Sequence, residues 1–231
     1  MSSNSSNCAP LRRRLWLVLG GFGLLLLAGL IVTLWLGDGE GVTRVHFSSW
    51  VQRHYSQLQV ATNYGLYPFY ALFLGLFIYG HTRGETGLKL FAQAYLLAQL
   101  VGAMLGVRIL KMLLGRARPD ATPLPGFESE WAGFSWDAAH HSFPSGHTAD
   151  IVTSAVFMTL LIRNPWAAAV FMAWAVALAL SRLALAKHYP SDALAGAVIA
   201  LVASYILVRY WLLPRLERQP PVPAPRWWRQ S

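Results

Sequence analysis

The sequence predicts an all-α integral membrane protein, a six-transmembrane-helix bundle in one domain. Hydrophobic residues make up 55% of the 231 residues and charged residues only 13%, whereas about a quarter of the residues of a soluble domain are charged. Several apolar runs approach the roughly 20 residues that a membrane-spanning helix needs. The basic residues collect at the ends of these runs, where a membrane protein places them.

The first predicted span follows a basic N-terminal segment. Residues 1–14 are rich in Ser and Asn and end in three arginines, and an apolar run of 22 residues then extends from Leu15 to Leu36. The apolar core of a signal peptide is shorter, about 7–15 residues, and no small-residue cleavage site stands out after this run. We therefore expect a retained span, which begins a membrane domain over residues 15–213.

The rest of the chain alternates between polar connections and apolar runs. Residues 37–59 favour a loop or a short amphipathic helix at the membrane interface, and residues 119–143 form a second loop, rich in Pro and aromatic residues. Pro165 and Pro190 mark the starts of the last two spans, because the first turn of a helix tolerates proline. A tail rich in Pro, Arg and Trp, residues 214–231, follows. Spans two to six cover approximately residues 63–80, 88–110, 145–162, 166–186 and 190–213.

Charge predicts the orientation and excludes one class of partner. With six spans both termini lie on one side, which carries 11 of the Lys and Arg residues against 8 on the other side. Positive residues accumulate in the cytoplasm, so we expect both termini there. The net charge of +9 does not indicate a nucleic-acid partner, because the basic residues form no basic face or known nucleic-acid motif. The single cysteine, Cys8, excludes an intramolecular disulfide and a cysteine-based metal cluster.

Three polar patches stand at the ends of predicted spans, all on the exoplasmic side. They are residues 111–119, 142–147 and 181–192, and they contain two histidines, three cations at matched positions and one carboxylate. Ionisable residues at membrane depth face a protein interior or water and indicate a functional site.

His188 and Asp192 are the first candidate pair. Pro190 begins a helix, which places Asp192 in its first turn just after His188. The carboxylate can accept the proton on Nδ1 of the imidazole, so that Nε2 is free to attack an electrophile. The alternative is an acidic residue favoured by the helix dipole beside a histidine without a role.

Ser145, Gly146 and His147 begin the fourth span. Ser145 is a good N-cap, and Gly146 lets an anion approach the free N–H groups of the first turn. His147 would stand at the rim of such a site, where it could donate a proton to a leaving oxygen. The alternative is an ordinary capped helix with a surface histidine.

Lys111, Arg118 and Arg182 supply positive charge. Arginine binds phosphate oxygens bidentately, and lysine acts as a point charge. The alternative is a cation that extends from a helix end to the membrane interface. We assign this alternative to three other cations: Arg108, Arg116 and Lys187.

Together, the three patches resemble the signature of the type 2 phosphatidic acid phosphatase (PAP2) superfamily, in its integral-membrane lipid phosphatase branch. The family pattern is K-x6-RP, PSGH and SR-x5-H-x3-D, and this sequence matches it in order and spacing over roughly residues 108–196. Ser181 belongs to the match but has no evident chemical role.

The resemblance implies a mechanism without a metal or another cofactor. His188 would attack phosphorus and form a phosphohistidine while Asp192 orients it, and His147 would protonate the leaving lipid oxygen and then activate water. The phosphoryl oxygens would be bound by Lys111, Arg118, Ser145, Gly146 and Arg182.

The family suggests a phosphate or diphosphate of a membrane lipid as substrate: undecaprenyl diphosphate, phosphatidylglycerophosphate, phosphatidic acid or lipid A. The expected location is a bacterial inner membrane, with the active site facing the periplasm. A lipid phosphotransferase using the same histidine remains an alternative, as does a non-enzymatic lipid transporter or scaffold. Six apolar spans argue against a third alternative, the vanadium haloperoxidases, whose soluble members share this pocket.

Overall fold

The computed structural model describes residues 8–121, 131–162 and 164–219. Within these ranges the chain is helical, without strands, and an isolated bridge pairs Arg116 with Trp131. The predicted N-terminal segment, the loop over residues 119–143 and the C-terminal tail lie partly outside the described residues. The helices are α1 Ala9–Leu36, α2 Asp38–His46, α3 Ser49–Arg53, α4 Tyr55–Tyr64, α5 Tyr67–Thr82, α6 Thr86–Leu114, α7 Gly146–Leu161, α8 Pro165–Ala184 and α9 Pro190–Glu217.

Four of these helices, α1, α6, α8 and α9, are long and apolar enough to cross a membrane. The all-α prediction is confirmed for the described residues, and these four helices have the length and composition of membrane spans. The other two predicted spans are helical too, but α5 and α7 contain 16 residues each, short of the roughly 20 that a spanning helix needs. Two of the long helices include π-helical segments, Gln99–Gly106 in α6 and Leu207–Leu212 in α9.

Helix α7 lies at the centre of the bundle. Every residue from Thr148 to Leu160 except Asp150 is buried, and α7 packs against α1, α6, α8 and α9. Helix α5 lies against α6, and Phe73 of α5 stacks on Tyr95 of α6 with 3.8 Å between ring centroids. Because neighbouring helices surround α7, its N-terminus is held in a fixed position relative to them.

The ends of the first and last helices extend beyond the predicted spans. Helix α1 begins at Ala9, so the three arginines predicted to precede the span lie within the helix. Arg12 forms an ion pair with Glu217 near the end of α9 at 2.9 Å. The contact joins the N-terminal end of α1 to the C-terminal end of α9.

The connection predicted as a loop or a short amphipathic helix contains three short helices, α2 to α4. Helix α2 lies across the ends of α8 and α9. His46 at its C-terminal end bonds through Nδ1 to the carbonyl of Ala184 at 2.8 Å, and Asp38 at its N-terminal end accepts from the Ser191 N–H at 2.9 Å. This connection therefore covers the third polar patch.

Candidate active site

Main-chain hydrogen bonds join the three polar patches into one site. The first patch is bonded directly to the second, and the residue that follows it is bonded to the third; the second patch is bonded directly to the third. Because these contacts join backbone atoms, the relative positions of the patches do not depend on side-chain rotamers. The four bonds are Arg118 N–H to Ala139 O at 2.8 Å, Ser142 N–H to Arg116 O at 2.9 Å, Asp120 N–H to Ala186 O at 3.1 Å and Ser145 N–H to Asp192 O at 2.9 Å.

The first patch begins where α6 ends. Gly115 takes the left-handed conformation with φ of 56° and bonds through its N–H to the carbonyl of Lys111. A Cβ at this position would lie 1.9 Å from the carbonyl oxygen of Gly133, so glycine is required. The turn directs the following residues toward the second patch. Lys111 Nζ donates to the carbonyl of His141 at 2.5 Å.

The second patch forms the N-terminus of α7, and the predicted N-cap is confirmed. Ser145 Oγ accepts from the N–H of Thr148 at 3.4 Å and from its hydroxyl at 3.0 Å, so the hydroxyl proton of Ser145 is left to donate. A Cβ built on Gly146 would lie 4.0 Å from Cε of Lys111. The lysine side chain therefore passes beside the start of α7, and Gly146 and His147 are both half-buried there.

The third patch contains the predicted histidine–aspartate pair, and both side chains are buried. Asp192 Oδ2 accepts from the Tyr189 N–H at 2.8 Å and from Ser142 Oγ at 2.5 Å. His188 Nδ1 lies 3.6 Å from the same oxygen, slightly beyond hydrogen-bond length. Nδ1 has no hydrogen-bond partner within the described residues. A small rotation of the imidazole would complete the predicted bond.

Burial lowers the pKa of His188 to about 4. The positive charges of Lys111 and Arg182 act in the same direction, and Asp192 opposes them. The imidazole is therefore neutral at pH 7, which is the form that attacks an electrophile.

The two predicted phosphate-binding arginines each have a guanidinium nitrogen without a partner in the described part of the chain. The Nε atoms of Arg118 and Arg182 are buried without a hydrogen-bond partner among the described residues, and Arg182 is only 7% exposed. The charges of Lys111, Arg118 and Arg182 act on one another and on His147. Three cations close together, two of them with a buried Nε that lacks a partner among the described residues, are costly and favour a bound anion.

The position of Arg116 contradicts our interpretation of this residue from the sequence. We assigned it to the membrane interface, but it is 2% exposed. Its Nη1 donates to Asp192 Oδ1 at 2.5 Å and its Nη2 to Asp38 Oδ2 at 3.0 Å. The reason is that α2 folds over the site and supplies a carboxylate 78 residues away in sequence, which no local pattern indicates.

The other two cations assigned to the interface lie at the edge of the site or outside it. Arg108 is exposed, and Lys187 forms a partly exposed ion pair with Asp120. In the described ranges no group of three or more His, Cys, Asp or Glu side chains is arranged to hold a metal ion.

Comparisons with known proteins point to one family. A lipid A 1-phosphatase of Rhizobium johnstonii is 36% identical over 127 residues, 53% of this chain and 51% of that protein. A lipid A 4'-phosphatase of Bacteroides thetaiotaomicron is 31% identical over 50% of this chain and 52% of that protein. The bacitracin transport permease protein BcrC of Bacillus licheniformis is 30% identical over 65% of this chain and 69% of that protein.

The chain spans about half the length of the two lipid A phosphatases. No solved structure matches the chain. The family model of the PAP2 superfamily matches residues 91–215, which is more than half of the chain and includes all three polar patches. By this match, the chain belongs to the PAP2 superfamily.

Proposed function

We propose that this protein is a membrane-embedded phosphatase that hydrolyses the phosphate monoester or diphosphate of a lipid through a phosphohistidine intermediate. One observation carries the proposal. The buried Nε atoms of Arg118 and Arg182 have no partner among the described residues. The charges of both arginines act on His147, and that of Arg182 also acts on His188, which faces a buried carboxylate. Such an arrangement binds a phosphoryl group beside a nucleophile.

In the proposed reaction, Nε2 of His188 attacks phosphorus while the bond from phosphorus to the lipid oxygen breaks. His147 donates a proton to that oxygen and becomes a base. In the second step His147 takes a proton from water, the hydroxide attacks phosphorus, and the bond from phosphorus to His188 breaks to release inorganic phosphate. The developing charge would be stabilised by Lys111, Arg118, Arg182, the Ser145 hydroxyl and the Gly146 N–H.

The proposal includes six membrane crossings with both termini in the cytoplasm. Helices α5 and α7 are shorter than the other four, but α7 is surrounded by them. The bilayer can thin around a short helix, and a polar patch at its end can lie at headgroup level. The site then faces the exoplasmic side, and since the relatives come from bacteria, we place it at the periplasmic face of an inner membrane.

Lipid A is the first candidate substrate, because two of the similar proteins are lipid A phosphatases. The other candidates are undecaprenyl diphosphate, phosphatidylglycerophosphate and phosphatidic acid. The test is phosphate release by the purified protein in mixed micelles from each of the four lipids, with and without EDTA. Release that persists in EDTA supports the proposal, and release that requires a metal contradicts it. Transfer of phosphate to a second lipid, seen as a new phospholipid product, would identify a phosphotransferase.

An apolar cavity beside the site supports a lipid substrate. Its volume is about 410 Å³, and it lies between α1, α2, α7, α8 and α9. Thr148 and Pro190 line it, next to the second and third patches, and Phe22 and Leu36 line it along α1. These two positions on α1 are roughly 20 Å apart at 1.5 Å per residue, compared with about 15 Å for half of the hydrocarbon core. The cavity can therefore accommodate a lipid chain.

We expect Ala179→Phe to weaken the use of long-chain lipids selectively. Ala179 lines the cavity, so a phenyl ring there would exclude part of a chain. If about two methylenes of the lipid chain can no longer be buried in the cavity, KM for dioleoyl phosphatidic acid should rise about 10-fold. KM for dihexanoyl phosphatidic acid should not change. Ala177→Phe is the matched control, since Ala177 is exposed on the same helix and does not line the cavity. Equal effects of the two variants on both lipids would show that the chain binds elsewhere.

We expect the acidic limb of the pH profile of kcat/KM to report an enzyme group with a pKa of about 4, the value to which burial lowers the pKa of His188. Because the neutral imidazole attacks, activity is present above this pKa and is lost as the pH falls through it. A substrate monoester ionises near pH 6, so rates of a short-chain lipid phosphate must first be divided by the fraction of its dianion. An enzyme group at about 6.5, the ordinary value for histidine, would contradict the prediction.

A further inference from the structure

A chain of charged side chains, half-buried at its start in α2 and fully buried further in, leads to the histidine of the third patch. Its members are Asp38, Arg116 and Asp192, followed by His188. The side chains of Arg116 and Asp192 are 3% and 0% exposed. The family signature includes only Asp192 and His188 from this set.

Arg116 lies between two carboxylates and two aromatic rings. It contacts Asp192 at 2.5 Å and Asp38 at 3.0 Å, and its guanidinium carbon lies 4.0 Å from the ring centroid of Tyr189. Trp131 lies on the guanidinium as well, at 5.0 Å. A planar guanidinium held by both its edges and its faces has little freedom to rotate.

Asp38 connects this arginine to the start of α9. One carboxylate oxygen accepts the N–H of Ser191, and the other accepts from Arg116 and from the Ser191 hydroxyl. Asp38 is the first residue of α2, so the helix that follows the first span also fixes the N-terminus of the helix that carries Asp192.

These contacts fix the orientation of the Asp192 carboxylate, which faces His188. Arg116 binds Oδ1 of Asp192, and Ser142 and Tyr189 bind Oδ2. With all of these bonds formed, Oδ2 is held in the direction of His188 Nδ1. Without Arg116, the charge of Asp192 would be uncompensated in a buried site, and its orientation would be free to change.

We infer that Arg116 and Asp38 are positioning residues for the proposed reaction: Asp38 holds Arg116, Arg116 holds Asp192, and Asp192 orients the imidazole of His188. This inference rests on the proposed function for its kinetic consequences. The inference also predicts the tautomer of the His188 imidazole, which can be measured in the absence of turnover.

The kinetic test compares Asp38→Asn, Arg116→Met and the double variant on a short-chain lipid phosphate. We expect Arg116→Met to lower kcat about 100-fold, the effect of a misplaced reacting group, with KM changed less than about 3-fold. Asp38→Asn keeps an oxygen for the Ser191 N–H and should lower kcat about 10-fold. The double variant should be no slower than Arg116→Met, because Asp38 acts through Arg116.

The control is Glu40→Gln. Glu40 is also in the first turn of α2 and forms an exposed ion pair with Arg44, so its removal should leave kcat unchanged. Arg116→Lys keeps the positive charge but lacks the planar guanidinium group. It is the variant to use if Arg116→Met does not fold, because the retained charge should preserve the fold. A size-exclusion profile of each variant verifies folding.

The second readout is 15N NMR of histidine-labelled protein, with His188→Asn used to assign the signal of His188. We expect a single tautomer with the proton on Nδ1 in the wild type and in Glu40→Gln, and a mixture of tautomers in Arg116→Met and Arg116→Lys. An unchanged tautomer in folded Arg116 variants would overturn the inference, as would additive kinetic effects or an unchanged kcat. Absence of activity in the wild type would refute the proposed function alone, and the tautomer would still decide this inference.

Discussion

His188→Ala should abolish phosphate release from every lipid that the wild-type protein hydrolyses. The expected loss in kcat is about 10⁵-fold or more, because removal of a covalent nucleophile eliminates the two-step path. The buried imidazole faces the carboxylate of Asp192 at 3.6 Å, the position in which the carboxylate can orient Nε2 toward phosphorus. The measurement is phosphate release in mixed micelles, together with rapid-quench detection of labelled phosphate on the protein.

The labelled phosphoenzyme should form in the wild type and be absent from His188→Ala. His81→Ala is the control. His81 is exposed near the C-terminal end of α5, so this substitution should have no effect on phosphate release. A His188→Ala variant that retains a substantial fraction of the wild-type rate would exclude the phosphohistidine mechanism. A non-enzymatic transporter or scaffold predicts that neither protein releases phosphate.

Gly196→Ala should disrupt the site and lower stability. A Cβ on Gly196 would lie 2.3 Å from the carbonyl oxygen of Ser145 and 3.2 Å from its carbonyl carbon. Both neighbours are backbone, so α7 and α9 would have to separate, and the bond from the Ser145 N–H to the Asp192 carbonyl would be lost. Overpacking of this kind costs about 1–3 kcal/mol, and we expect a loss in kcat/KM of about 100-fold from the displaced groups.

Gly75→Ala is the matched control for that variant. Gly75 is in the interior of α5, and a Cβ there meets no neighbouring atom, so alanine should raise helix stability slightly, by up to about 1 kcal/mol. Thermal unfolding followed by tryptophan fluorescence, together with kcat/KM, measures both effects. A midpoint and activity equal to the wild type in Gly196→Ala would contradict the close contact of α7 and α9.

Features that depend on one helical turn or one apolar run could be predicted from sequence. Ser145 is the N-cap of α7, and Pro165 and Pro190 begin α8 and α9, as predicted. All six predicted spans are helices. These features could be predicted because helix capping and hydropathy depend on residues that are close together in the sequence.

The count of spans predicted that the three patches lie on one side of the membrane, but their convergence in one site could be predicted only through the family signature. Nothing in the local pattern of residues 111–120 indicates that Arg118 bonds to the segment just before the second patch, or that Asp120 bonds to the third. The unpartnered Nε atoms of Arg118 and Arg182 are likewise visible only after the helices have packed. The catalytic roles of the matched residues remain predictions.

By itself, the sequence determined which segments are helical and apolar, because hydropathy, proline and helix caps are properties of neighbouring residues. Only the tertiary structure decided which charges meet. Arg116 stands two residues before Arg118 and looks equivalent to it in sequence. Arg116 nevertheless binds Asp38 and Asp192, whereas Nε of Arg118 has no partner among the residues that the structure describes. The physical reason is that α2 folds across the start of α9 and brings in a carboxylate from 78 positions earlier, and a contact over that distance depends on the packing of the whole bundle.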